Sequence, residues 1–206
     1  MADGRRIPRE HALPVAEALR DELQSVCDRI EIAGSLRREK PTVGDIELVA
    51  QPKLFPSEDR DLFGNVIGKP SYRVHQAIDE ANAHLSRPKC KPDCAFCEGS
   101  GEPCVWGPWL TKLNNGTKYI KLRENHLDIR IDLFLVTPPA EWGPIYAIRT
   151  GSRDFSQRLV TGLHAFGLRC QDGRVVRKDG TRVPCPEERD FFRLAGVPWT
   201  EPKERR

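Results

Sequence analysis

Apolar residues recur at helical spacing in three stretches of the chain, residues 12–30, 72–85 and 152–166. The repeating positions are Ala16, Leu19, Leu23, Val26, Cys27 and Ile30, then Val74, Ala77, Ile78, Ala81 and Leu85, then Phe155, Leu159, Leu163 and Phe166. A period near 3.6 residues predicts an amphipathic helix with one buried face in each stretch. Gly167 supplies a stop signal for the third helix.

Other stretches alternate between apolar and polar residues, as strands do. Residues 45–50 alternate, and residues 127–136 give the clearest strand, with Asp128, Arg130, Asp132 and Phe134 opposite a wholly apolar face. Two Asp-Gly pairs separate three short strands near 168–171, 174–178 and 181–184, which predicts a small meander. A last short helix is predicted from Pro186 to Gly196. Helices and strands in this order indicate an α+β fold.

Residues 86–116 have a different character, because prolines and glycines interrupt every periodic pattern. This stretch is predicted to be an irregular insertion. It carries Cys90, Cys94, Cys97 and Cys104 in the spacing C-x₃-C-x₂-C-x₆-C. Four thiolates at such spacing favour a structural Zn²⁺ site, and the alternative is a flexible loop with free thiols. The odd total of seven cysteines argues against a disulfide framework.

Three carboxylates are candidates for metal chemistry. Asp45 and Glu47 are two residues apart on a predicted strand, so both leave the same face, and Asp132 leaves the polar face of another strand. If these strands are neighbours, the three charges converge. Unit charges 4 Å apart repel by roughly 4 kcal/mol at an effective dielectric near 20, so such a cluster requires cations. Oxygen ligands select Mg²⁺ or Mn²⁺. The alternative is an ordinary solvated sheet face.

A basic turn precedes these carboxylates. Gly34, Ser35 and Arg38 follow a short apolar strand from Ile30 to Ala33, and Gly44 directly precedes Asp45. Glycine allows close backbone approach, while the hydroxyl and the guanidinium match phosphate oxygens. A phosphate-binding turn beside a metal-binding strand is the layout that phosphoryl transfer uses. An ordinary basic turn is the alternative for this motif alone.

The paired motifs Gly34-Ser-Leu-Arg-Arg38 and Gly44-Asp-Ile-Glu47 resemble the signature of the polymerase beta-like nucleotidyltransferase superfamily. Arg130-Ile-Asp132-Leu, Thr150-Gly151-Ser152 and the tail from Glu187 to Arg205 further resemble family X DNA polymerases. The resemblance spans residues 12–50 and 117–206 and leaves out the insertion. It implies a nucleotidyltransferase-type palm at residues 1–140, a mixed sheet with helices that carries the 86–116 insertion. It also implies a small α+β thumb at residues 141–206.

The resemblance also implies roles for individual residues. Asp45, Glu47 and Asp132 take the positions that bind two Mg²⁺ or Mn²⁺ ions and carry catalysis, with Arg130 beside them. The expected nucleotide contacts are Gly34, Ser35, Arg38, Gly44, Thr150 and Gly151. Two departures from the family pattern stand out. Glu47 replaces the usual Asp, and Ile148-Arg149 replaces the aromatic pair that usually precedes Thr-Gly.

The function expected from this resemblance is nucleotide addition to a DNA primer 3′-hydroxyl, in short-gap repair synthesis. The expected partners are DNA and a nucleoside triphosphate, bound by a monomer. A net charge of +4 over residues 151–206 fits a DNA-facing part. Two rivals stay open. One is a nucleotidyltransferase that modifies RNA, protein or a small molecule, and the other is a non-catalytic nucleic-acid-binding module.

The sequence offers no membrane or export signal. No apolar run approaches the ~20 residues of a membrane helix, and the N-terminus lacks a secretory pattern. A cytoplasmic location, including a nucleoid or viral context, is the expectation.

Overall fold

The computed structural model of the chain describes residues 5–84 and 109–206. The first part contains β1 (Ile7–Pro8), α1 (Arg9–Leu23), β2 (Cys27–Ile32), α2 (Gly34–Arg37), β3 (Thr42–Val43), β4 (Asp45–Pro52), β5 (Leu54–Phe55), β6 (Ser71–Tyr72) and α3 (Val74–His84). The second part contains β7 (Leu110–Asn115), β8 (Tyr119–Glu124), β9 (Ile129–Leu135), α4 (Trp142–Thr150), α5 (Arg153–Gly162), β10 (Leu168–Gln171), β11 (Arg174–Arg177), β12 (Arg182–Val183) and α6 (Glu188–Leu194). Short 3₁₀ turns follow α1 and α5, and another lies at Pro202–Glu204.

A five-stranded mixed sheet organises the N-terminal two thirds of the chain. Its strand order is β2-β4-β9-β8-β7, in which β4 and β9 run parallel and the other neighbours run antiparallel. The apolar sides of these strands pack with α1 and α3 in one core. The alternation predicted for residues 127–136 holds, because Ile129, Ile131 and Leu133 are buried in that core. The opposite face of β9 is left for polar groups.

The C-terminal part has its own core. Helices α5 and α6 enclose Phe155, Leu159, Phe191 and Phe192 against the small sheet β10-β11-β12. The meander and the final helix predicted from the sequence are present here. Together the two parts have the predicted α+β class.

Helix α4 links the two cores, and the sequence pattern did not reveal it. Trp142 and Tyr146 pack with Ala33 and Val49 of the first part, while Ala147 packs into the second core. Pro144 occupies the first turn of the helix, where no backbone N–H is needed, so it does not interrupt α4. The proposed division at residue 140 stays a prediction.

Two other boundaries were wrong. The helix predicted for residues 12–30 ends at Leu23, and Cys27–Ile32 is a strand. A β-bulge between Cys27 and Arg29 brings both Cys27 and Ile30 to the core, three residues apart, which imitates helical spacing. The stretch 86–116 was predicted to be irregular throughout, but Leu110–Asn115 forms β7. The four cysteines of the predicted zinc site lie outside the described residues.

Among the helices of the two described ranges, none is long and apolar enough to cross a membrane.

Candidate active site

The parallel pairing of β4 and β9 brings the candidate carboxylates to one place. Asp45 lies opposite Arg130, and Glu47 lies opposite Asp132. Side chains two residues apart on a strand share a face, so Asp45, Glu47 and Asp132 all belong to the side of the sheet away from the apolar core. Asp132 is largely buried, while Asp45 is half-buried.

Arg130 lies between two of the three carboxylates. Its Nη2 donates to Asp45 Oδ2, and its Nε donates to Asp132 Oδ2 at 3.1 Å. This cation offsets part of the repulsion within the cluster. Among residues 5–84 and 109–206, no three His, Cys, Asp or Glu side chains are arranged to hold a metal ion. Arg130 occupies one oxygen of Asp45 and one oxygen of Asp132 in this arrangement.

The donor set nevertheless suits hard divalent cations. Asp45, Glu47 and Asp132 offer carboxylate oxygens without sulfur or imidazole, which is the ligand chemistry of Mg²⁺ and Mn²⁺. Burial, and next the charge of Asp45, raise the pKa of Glu47 to about 7. A cation bound beside Glu47 would favour the ionised form of this carboxylate and lower its pKa. The cluster fits a divalent metal by its chemistry.

Glu47 also explains why residue 34 is glycine. Gly34 has a φ of +60°, and a Cβ at this position would lie 2.0 Å from Glu47 Oε2. The sequence interpretation reserved this space for a ligand, whereas the Glu47 carboxylate fills it. A larger residue would be strained by the left-handed backbone and would require the Glu47 side chain to shift.

The turn at Gly34–Arg38 joins this cluster to α4. Arg38 Nη1 donates to the carbonyl oxygens of Thr150, at 2.6 Å, and Gly151, at 3.0 Å. Arg38 Nε and Ser35 Oγ are buried without a hydrogen-bond partner among the described residues. Burial lowers the pKa of Arg38. Two unsatisfied donors beside the carboxylates suit a phosphate group, which accepts such bonds.

The other predicted nucleotide contacts are placed less directly. The Thr150 side chain is fully buried, and its Oγ1 accepts a hydrogen bond from Arg37 at 2.6 Å. Its backbone carbonyl accepts from Arg38, so both polar groups of Thr150 that could accept a hydrogen bond are engaged within the protein. Gly44 has open space around its Cα, with Arg6 Nη1 4.0 Å from a built Cβ. Sterics do not require glycine there.

Tyr119 is a site residue that the sequence interpretation missed. Its hydroxyl donates to Asp132 Oδ1 at 2.6 Å, and its ring stacks on Phe134 with centroids 5.2 Å apart. Burial, and then the hydrogen bond to Asp132, raise the pKa of Tyr119 to about 12, so the hydroxyl keeps its proton at neutral pH. Because Arg130 donates to the other oxygen, both carboxylate oxygens of Asp132 accept a hydrogen bond. Tyr119 belongs to β8, where it lies opposite Phe134 of β9. The sequence pattern did not reveal β8.

We expect Tyr119→Phe to lower kcat for nucleotide addition by roughly tenfold while the fold stays intact. The substitution keeps the ring stack and removes one hydrogen bond to a charged group, a bond worth about 1.5–3 kcal/mol. Single-turnover kinetics on a primed substrate measure the effect. Tyr72→Phe is the matched control, because Tyr72 is exposed and far along the chain from these strands. Equal rates for Tyr119→Phe and wild type would show that Asp132 does not depend on this hydroxyl.

Comparison with known protein families agrees with this geometry. Residues 6–84 match the model of the DNA polymerase beta palm, and residues 146–206 match the model of the DNA polymerase beta thumb. The two matches together cover about two thirds of the chain. The chain belongs to the DNA polymerase beta-like, family X palm–thumb proteins. No curated protein matches it.

The palm and thumb are joined by a buried ion cluster. Glu188 of the thumb accepts two hydrogen bonds at 2.8 Å from Arg37 of the palm, and its Oε1 also accepts from Arg205. Arg205 is 0% exposed. Burial alone would raise the pKa of Glu188, but the hydrogen bonds from the two arginines outweigh it, so the pKa lies below its usual value. Because Arg37 also donates to Thr150, this cluster fixes α4 relative to the turn at Gly34–Arg38.

An open pocket of about 620 Å³ lies beside the carboxylates, between the palm sheet and the thumb. Asp132, Tyr119 and Phe134 line it from the five-stranded sheet, Arg149 lines it from α4, and the turn at Asp172-Gly173 lines it from the thumb. Asp132 is the one of the three candidate carboxylates that lines this pocket.

Proposed function

We propose that this protein adds nucleotides to the 3′-hydroxyl of a DNA primer, in synthesis of the short-gap repair type. The observation that carries the proposal is the parallel register of β4 and β9, which sets Glu47 beside Asp132 with Asp45 on the same face. The buried, unpartnered donors of Ser35 and Arg38 lie at the turn next to this cluster. Membership in the DNA polymerase beta-like palm–thumb proteins supports DNA and a nucleoside triphosphate as the substrates.

Each residue has a distinct task in this proposal. Asp45, Glu47 and Asp132 would hold two divalent ions, Mg²⁺ or Mn²⁺. When bound, such ions help ionise an attacking hydroxyl and neutralise a leaving pyrophosphate. Ser35 and Arg38 bind the phosphates of the nucleotide by hydrogen bonds. Asp132, oriented by Tyr119 and Arg130, accepts the hydrogen bond of the primer hydroxyl and orients it toward the α-phosphate.

Extension assays test the proposal against its rivals. Purified protein is given gapped, primed and single-stranded DNA, with each deoxynucleotide and ribonucleotide in turn, in Mg²⁺ or Mn²⁺. Elongation of the DNA primer with release of pyrophosphate is the expected result. Transfer only to RNA, to protein or to a small molecule would favour a different nucleotidyltransferase. DNA binding without transfer to any acceptor would favour a non-catalytic module.

We also propose that the insertion binds a structural zinc ion through Cys90, Cys94, Cys97 and Cys104. The freshly purified, reduced protein should contain about one zinc per chain by elemental analysis. Replacing both Cys94 and Cys97 by Ser should remove it. Cys170→Ser should leave it in place, because Cys170 lies in the thumb meander and its pKa is raised by burial. A zinc-free, reduced wild-type protein would contradict this assignment.

A further inference from the structure

Arg149 is the exposed arginine of the candidate site that forms no ion pair within the described residues. It occupies the last turn of α4, directly before Thr150. Its guanidinium carbon lies 3.8 Å from the centroid of the Phe134 ring. Phe134 in turn stacks on Tyr119. A cation–π contact positions the plane of a guanidinium without using its N–H groups, so the donors of Arg149 stay available.

The other arginines around the site are differently engaged. Each of Arg37, Arg38, Arg130 and Arg205 donates to a carboxylate or a backbone carbonyl. Part of the donor capacity of each is therefore used within the protein. Arg149 is fixed by an aromatic face instead, which orients the side chain but leaves its charge unpaired.

The surroundings of Arg149 indicate what its charge faces. It lines the pocket of about 620 Å³ that also exposes Asp132, and the exposed Lys118 lines the same pocket. Asp132 and Asp172 are the carboxylates of the pocket lining. Arg149 thus presents unused donors to the space that a substrate of the neighbouring carboxylates must enter.

We propose that Arg149 binds a phosphate group of the substrate from its position on the Phe134 ring. This inference rests on the proposed nucleotide transfer and adds a binding residue to it. A planar fork of N–H donors matches two phosphate oxygens, and stacking reduces the side-chain freedom lost on binding. Two sources share this chemistry, the triphosphate of the incoming nucleotide and a backbone phosphate of the primer strand.

The test compares Arg149→Gln and Arg149→Lys with wild type. Arg149→Gln removes the charge, and Arg149→Lys keeps it without the planar fork. Arg169→Gln is the matched control, because Arg169 is an exposed thumb arginine outside the pocket lining. Three quantities are measured on each protein: the Kd for a fluorescein-labelled gapped DNA at several salt concentrations, the Kd for Mg²⁺–pyrophosphate by calorimetry, and the KM for dTTP on saturating DNA.

If Arg149 binds the triphosphate, Arg149→Gln raises the pyrophosphate Kd and the dTTP KM by roughly tenfold or more and leaves DNA affinity unchanged. If it binds a primer phosphate, the DNA Kd rises by a similar factor. The slope of log Kd against log salt then falls by about 0.9, while pyrophosphate binding is unchanged. Either result supports the proposal, with Arg149→Lys intermediate.

The phosphate-binding proposal is overturned if Arg149→Gln equals wild type and Arg169→Gln in all three measurements. The two binding measurements need no turnover, so they also separate this inference from the proposed function. Loss of phosphate or DNA affinity in a protein that transfers nothing would count against the proposed function alone. Unchanged binding and kinetics in an active enzyme would count against Arg149 alone.

Discussion

Asp45→Asn, Glu47→Gln and Asp132→Asn should each lower nucleotide addition by about 10³-fold or more. Each substitution keeps the shape of the side chain and replaces by an amide one of the three carboxyl groups that face the same space on β4 and β9. If these oxygens hold divalent ions, the loss of one charge removes several kcal/mol of transition-state stabilisation, and about 4 kcal/mol corresponds to 10³-fold. Rapid-quench assays of primer extension at saturating Mg²⁺ measure the change.

The fold should survive these substitutions. Burial and Asp45 raise the pKa of Glu47, which means that its charge opposes folding, so Glu47→Gln should unfold at no lower temperature than wild type. Asp128→Asn is the matched control. Asp128 lies four residues before Asp132, is exposed, and among the described residues pairs only with the exposed Arg123. The Asp128→Asn variant should therefore have the activity of wild type. Full activity in any one triad variant would remove that residue from the metal assignment.

Calorimetric titration of Mn²⁺ into the same variants separates a catalytic role from a metal-binding role. Wild type should bind Mn²⁺ more tightly than each triad variant, while Asp128→Asn should match wild type. Unchanged Mn²⁺ affinity in an inactive variant would assign that carboxylate to substrate rather than to metal.

The carboxylates could be predicted from the sequence because the information is local. Asp45 and Glu47 are two residues apart, and Asp132 lies on the polar side of a strand whose other side is entirely apolar. Strand geometry converts these spacings into shared faces. The pairing of β4 with β9 was conditional at that stage, since strand neighbours are chosen by packing across the whole domain. Nothing local indicated that Arg130 would bridge Asp45 and Asp132.

Strand β8 escaped prediction for a different reason. Ile120 and Leu122 alternate toward the core, but the next core-facing position is Glu124, which is 2% exposed. Its carboxylate accepts hydrogen bonds from the backbone N–H groups of His126 and Leu127 at the following turn. A buried acid satisfied by the backbone looks like a surface residue in a hydrophobicity pattern. Tyr119 was missed along with its strand.

The buried ion cluster could not be predicted because its members are far apart in sequence. Arg37 lies in the basic turn, and Arg205 lies in the tail motif next to the last residue of the chain. Only the packing of α6 against α4 and the turn at Gly34–Arg38 brings both arginines to Glu188.

Removing the charge of Glu188 should therefore cause the largest loss of stability of any single substitution proposed for this protein. Glu188→Gln leaves Arg205, which is 0% exposed, and the largely buried Arg37 without a counter-charge. Breaking a buried pair by removing one partner lowers the free energy of unfolding by about 3–5 kcal/mol. Urea unfolding followed by circular dichroism and by the fluorescence of the four tryptophans, which include Trp199 beside Arg205, measures the change.

The neighbouring residue offers the control. Glu187 pairs with Arg29 at the surface, with side chains 59% and 36% exposed, and exposed pairs contribute about 0–1 kcal/mol. Glu187→Gln should therefore leave the urea midpoint almost unchanged. If the two variants lose similar amounts of stability, the buried Glu188 cluster contributes no more than the exposed pair. The contact between palm and thumb must then depend on apolar packing instead.

The pH dependence provides a second test with a definite sign. The pKa of Glu188 in the folded protein lies below its unfolded value of about 4.3, so its stabilisation is complete above that value and is lost as pH falls through the folded pKa. The difference in unfolding free energy between wild type and Glu188→Gln should be constant from pH 6 to pH 8 and should shrink below pH 4. Arg205→Met added to Glu188→Gln should recover part of the loss, because it removes a buried charge that no longer has its partner. A double variant as unstable as the sum of the two single changes would mean that Arg205 and Glu188 do not act as a pair.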